Sequence, residues 1–155
     1  MLGVGCPYRL WRAVGLLALA GVMMSSLALG VEPTLEELKA KFASAGAGER
    51  PHLCIQIAEK QLTETDRAYA AGEIEKGRAA LADVVAFSEL ARDNAIQSHK
   101  YQKQAEIAVR GMARKLNDLM HTLEHDEREP VQDAITRLQR VRDDLLTAMF
   151  PKGAQ

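Results

Sequence analysis

The residues nearest to a catalytic spacing are His121-Thr-Leu-Glu-His125. They match H-x-x-E-H, the inverted zinc-peptidase pattern, in which two imidazoles hold the metal and the Glu works on its bound water. Positions i and i+4 share a face on a continuous helix, so His121 and His125 are the candidate metal ligands of this chain. Three features weigh against that chemistry. A third ligand is expected far along a large domain, yet only 30 residues follow His125. His121 lies about 200° around a helix from Leu119, on the solvent side. The motif also runs into the end of its helix, where a positive charge is favourable without any metal.

Other sets fall shorter. His52 and Cys54 are two apart and point to different helix faces. Cys54, beside Ile55 and Ile57, reads as a small buried hydrophobe. Covalent haem needs C-x-x-C-H, which is absent; non-covalent haem needs an axial His or Met facing a bundle interior. Met112 and Met149 lie on apolar seams, where packing is their expected role. Di-metal carboxylate sites need Glu-x-x-His, but Ile96 precedes His99 at that spacing and Asp118 precedes His121. No G-x-S-x-G, P-loop or G-x-G-x-x-G occurs. The expectation is a protein that is not an enzyme, with no catalytic residue and no cofactor.

The elements that would position these residues are helices, because apolar residues recur at three and four and nothing alternates with period two. Thr34-Leu-Glu-Glu37 is a capping box opening a short helix through about Ser44, with Leu35, Leu38 and Phe42 on one side. Pro51 suits the first turn of a second helix reaching Ala71, striped by Ile55, Ala58, Leu62, Thr65 and Tyr69, with Gly72 as its C′ residue. A third helix from Glu73 to Ser98 carries Ile74, Gly77, Leu81, Val84, Ser88, Ala91 and Ala95; Gly77 on that seam would admit a close neighbouring backbone. The polar run Ser98–Lys103 predicts a break without Gly or Pro. The fourth helix is striped by Ala105, Val109, Met112, Leu116, Leu119 and Leu123; an acidic loop, 124–129, follows. Pro130 is expected to start the fifth, striped by Val131, Ile135, Leu138, Val141, Leu145 and Met149 and closed by Pro151 and Gly153. Stripes near the 3.5 spacing of coiled coils, joined by short connections, predict an all-α antiparallel four-helix bundle (up-down-up-down), with the first helix capping one end. Stacked α-hairpins of the solenoid kind are the rival, disfavoured because no period of 33 to 47 residues repeats.

The 155 residues carry 20 Lys+Arg and 21 Asp+Glu. A charge of −1 leaves no general basic field for nucleic acid. Residues 1–30 differ from the rest: Arg9 and Arg12, then an uncharged apolar run from Ala13 to Leu29, then small residues at Ala28 and Gly30. This is the pattern of a secretory signal peptide cleaved after Gly30 or Ala28, with an uncleaved signal-anchor as the alternative and the only route to a membrane. Residues 31–155 then form the helical domain, with 18 of the basic residues, all 21 acids and a charge of −3. Cys6 leaves with the signal, so Cys54 has no internal disulfide partner. Arg110, Arg114 and Lys115 with Arg137, Arg140 and Arg142 make a basic side, read either as solvated charge or as a docking surface for an envelope or periplasmic protein.

The segment Ala68-Tyr-Ala-Ala-Gly-Glu-Ile-Glu-Lys-Gly-Arg-Ala-Ala-Leu81 resembles the middle of a tetratricopeptide unit, in a hairpin around residues 59–91. The helical domain as a whole resembles small exported all-helical bacterial proteins of unassigned function. It is also similar in size, export and helicity to periplasmic stress- or metal-responsive α-hairpin chaperones. Their L-T-x-x-Q motif has its counterpart at Leu62-Thr63-Glu64-Thr65-Asp66, with Asp in place of Gln. The resemblances imply an exported, non-catalytic, protein-binding or envelope-structural role, with the chaperone-like role as alternative.

Overall fold

The computed structural model describes residues 32–151, and the signal segment 1–30, with Cys6, lies outside the described residues, as does Gly153. Every regular element among them is an α-helix: α1 (Leu35–Ser44), α2 (Arg50–Ala70), α3 (Ile74–Ser98), α4 (Gln102–Met120) and α5 (His125–Met149). The described helices fall in one unit that starts at Pro33.

Local chemistry sets the ends. Thr34 Oγ1 accepts from the Glu37 backbone N–H at 3.2 Å and Glu37 Oε2 accepts from the Thr34 N–H at 2.8 Å, the reciprocal capping box. Helix α2 ends in a Schellman turn: Gly72 at φ +74° places its N–H on the Tyr69 carbonyl, and the Glu73 N–H reaches Ala68 at 2.9 Å. The break after α3 falls in the polar run, and its sharpness comes from two non-glycine residues in the left-handed region, His99 (φ 55°) and Tyr101 (φ 62°). The Tyr101 ring stacks on His52 of α2, centroids 5.4 Å apart, which helps hold that strained turn.

The α4–α5 junction departs from the sequence expectation. Helix α4 stops at Met120, not Leu123, and α5 starts at His125, five residues before Pro130. The supposed acidic loop is therefore the first turn of α5, where Asp126 and Glu127 meet the positive end of the helix dipole. Pro130 sits inside α5 and removes only one early backbone bond, which the acidic start and the core stripe outweigh.

Cross-helix contacts give the packing sense. Gln61–Asp83, Glu64–Lys76 and Tyr69–Gly77 pair α2 with α3 in opposite directions. Arg142–Glu106 pairs the end of α5 with the start of α4. Arg78–Glu127, Arg137–Glu89 and Arg92–Asp144 climb α3 and α5 together, so those two helices run parallel. Two antiparallel hairpins thus lie side by side, α3 beside α5 and α2 beside α4, while α2 and α5 do not meet. In a bundle whose helices follow one another around a square, α5 would close on α2; here it closes on α3. Helix α1 does not cap an end: Lys39 pairs with Asp83 and Phe42 packs edge-on to Phe87, both at the middle of α3.

One core draws on all four long helices, including Ile55 and Leu62, Leu81 and Val84, Val109 and Leu116, and Leu138 and Leu145. Each fully buried aliphatic side chain contributes about 1.5–3 kcal/mol over leaving it in water. Two buried hydroxyls are answered within their own helices, Thr65 Oγ1 donating to the Gln61 carbonyl at 2.8 Å and Ser88 Oγ to the Val84 carbonyl at 2.7 Å. Gly77 serves a side chain instead of a backbone: an added Cβ would lie 3.0 Å from Tyr69 Cδ2, so the missing side chain is the seat of that ring.

Candidate functional site

The His121/His125 pair does not share a helix. His121 follows the last residue of α4 and His125 is the first of α5, so the i, i+4 geometry is broken by the turn between them, and both are exposed. The spacing Glu49-x-x-His52, which sequence reasoning passed over, fares no better. Glu49 caps α2 from outside the helix, and both side chains are exposed. Among the described residues no group of three or more His, Cys, Asp or Glu is placed to hold a metal ion.

Cys54 is fully buried in the core, and that burial, opposed in part by Arg50, pushes its thiol up to about 11. A thiol so placed stays protonated and unreactive at neutral pH. Tyr69 is also buried, and burial, reinforced by Glu127, holds its hydroxyl above the usual tyrosine range. Among the described residues its hydroxyl has no hydrogen-bond partner. Met112 packs in the core, and Met149 lies half-buried near the end of α5.

The six basic residues that looked like one side separate into different roles. Arg137 is committed to Glu89 on α3 at 2.8 Å. Lys115 lines a cleft of about 410 Å³ between α2 and α4, with Leu62, Thr63, Asp66, Asp118, Leu119 and Thr122; the Leu62–Asp66 motif residues face this cleft. Arg140 is exposed and borders neither depression. The remaining three, Arg110, Arg114 and Arg142, come together across α4 and α5.

They rim a shallow groove of about 350 Å³ over Val109, Ala113, Ile135 and Leu138, with Asn117 and Gln139 as neutral polar neighbours. Val109, Ile135 and Leu138 belong to the core and are each 5% exposed or less, so the apolar surface open here comes from half-buried Ala113 and exposed Ile107. None of its lining residues belongs to α2 or α3, so it opens on the side of the α4–α5 hairpin away from the other hairpin. At one end, buried Glu106 accepts from Arg142 Nε at 2.9 Å and lies 3.6 Å from Arg110 Nε. One carboxylate thus orients two guanidiniums while leaving most of their donors outward. Arg114 is exposed and makes no ion pair among the described residues. The arrangement suits binding of a negatively charged surface: a net positive rim, neutral polar groups that can fix an orientation, and a small apolar patch at Ala113 and Ile107. Separately, among the described residues no helix is long and apolar enough to cross a membrane. No protein-family model, curated protein or solved structure matches the chain.

Proposed function

We propose that this chain is an exported, non-catalytic helical protein that works by binding another protein of the envelope or periplasm. The observation that carries the reading is the α4–α5 groove, a shallow depression between two helices rimmed by three arginines, with exposed Ile107 beside it. The raised thiol pKa of Cys54 and the separation of His121 from His125 onto different elements support a binding role over a chemical one. In this reading α2–α5 act as one four-helix bundle with neighbour order α2–α3–α5–α4 around a shared core. The tetratricopeptide-like hairpin around 59–91 would be its α2–α3 half, and like helices running side by side fit that resemblance. Export rests on the signal-like segment 1–30, read from sequence.

The test is crosslinking of the protein in its native compartment, with mass-spectrometric identification of adducts and of the chain's N-terminus. Adducts with a second protein, on a chain starting at Leu29 or Val31, support the proposal. A monomer with no adduct overturns the binding reading, and a chain retained inside the cell with Met1 intact overturns export.

A further inference from the structure

We infer that the occupant of the α4–α5 groove is an acidic amphipathic helix supplied by the partner protein. This rests on the protein-binding reading above and adds to it the chemistry of what is bound.

Charge selects the occupant. Arg110, Arg114 and Arg142 rim the groove, no acidic residue lines it among the described residues, and Glu106 at its end is already engaged by Arg142 and Arg110. A second copy of this chain does not fit by two-fold symmetry, because an isologous contact sets each arginine rim against its own copy. A partner with Asp or Glu flanking an apolar stripe meets the rim with opposite charge and Ala113 and Ile107 with matching surface. Shape selects a helix. From Val109 to Asn117 the groove follows α4 for about 12 Å, or roughly two helical turns, enough for anchors at i, i+3/i+4 and i+7. Ile107, 47% exposed, stands on the same stripe of α4 as Arg110 and Arg114, three and seven residues on, and extends the apolar contact beyond the groove. The fold already seats one amphipathic helix on a hairpin, though with the opposite charge: α1 lies against α2–α3 through buried Leu38, through Phe42 on Phe87 and through Lys39 on Asp83. The α2–α3 hairpin is covered by α1 as well as by α4 and α5; among the described residues no helix lies on the groove side of α4–α5.

The probe is a fluorescein-labelled peptide with Leu at heptad a and d positions and Glu at the flanking ones; its counterpart has Lys for every Glu. Fluorescence anisotropy against the full chain should show binding of the Glu peptide and none of the Lys peptide. Raising salt well above physiological strength should weaken the complex, and Arg110→Glu with Arg114→Glu should weaken it roughly tenfold or more. Both substituted positions are exposed, and an unchanged circular-dichroism melt verifies that the variant folds. Equal binding of both peptides, or full affinity in the double variant, overturns the inference. So does a concentration-dependent dimer that the double variant strengthens. If native crosslinks form but map outside α4–α5, the groove assignment fails while the binding reading stands; if none form, the binding reading itself fails.

Discussion

Substituting Gly77 by Ala should destabilise the protein, against the ordinary helix rule, and the reason lies in one ring. Gly77 is the fourth residue of α3, where Ala would normally gain about 1 kcal/mol of helix propensity. Here the new Cβ would meet Tyr69 Cδ2 at 3.0 Å, Cε2 at 3.1 Å and Cγ at 3.2 Å. Three atoms of one rigid ring must move together, and Tyr69 is only 6% exposed, so the ring cannot swing into water. Overpacking of this kind costs about 1–3 kcal/mol, which leaves Gly77→Ala destabilising by roughly 0–2 kcal/mol. The sign should invert when the ring is absent: in a Tyr69→Leu background the same substitution should stabilise by up to about 1 kcal/mol. Urea denaturation of the four proteins of this double-mutant cycle measures both numbers. Stabilisation by Gly77→Ala in the presence of Tyr69, or an equal effect in both backgrounds, would refute the argument that the glycine exists to seat the ring.

Tyr69→Phe removes a buried hydroxyl without a hydrogen-bond partner, so thermal denaturation should show no loss of stability and a gain of up to about 1 kcal/mol; a clear loss would mean the hydroxyl is bonded. His99→Gly relieves a left-handed non-glycine residue at an exposed helix end and should stabilise by about 1 kcal/mol in the same assay. At Tyr101 the same change removes the stack on His52, so a smaller gain or a loss is expected there. Cys54 has its folded pKa raised from 9.0 to about 11, so both states hold the proton below pH 9 and stability there is complete. As pH rises from 9 to 11 the unfolded chain releases the proton first, and roughly 2–3 kcal/mol is lost progressively. Denaturant titrations at several pH values should show this extra alkaline loss in the native sequence and its absence in Cys54→Ala; parallel pH curves would contradict it. Leu138→Ala, at a fully buried position of α5, should cost about 2–5 kcal/mol by denaturant titration; a loss below 1 kcal/mol would mean the site is not core.

The helices were legible because their stripes obey a single rule. Ala105, Val109, Met112, Leu116 and Leu119 are all buried as their spacing predicts, and so are Ile55, Ala58, Leu62, Thr65 and Tyr69. Periodicity was silent where end effects compete. Pro130 looked like a start signal, but a helix can carry Pro near its beginning, and Asp126 and Glu127 made the earlier start favourable. The order of neighbours was equally hidden, since a seam reports which face is buried and not which helix covers it; that information sits in pairs such as Arg137–Glu89. The groove was half visible. Its arginines stood out in sequence as a charged run, but Lys115 could be separated from Arg110, Arg114 and Arg142 only by knowing that α4 meets α2 on one side and α5 on the other, and Arg137 only by knowing that α5 also meets α3.

The central claim is that α4–α5 presents the surface through which this protein binds its partner. A photocrosslinking residue at Gln139, on the groove, compared with one at exposed Ala82 on α3, tests it most directly in the native compartment. The account predicts an adduct with a second protein from position 139, lost in the Arg110→Glu, Arg114→Glu background, and none from position 82. Equal labelling from both positions, or an adduct from 82 alone, would contradict it.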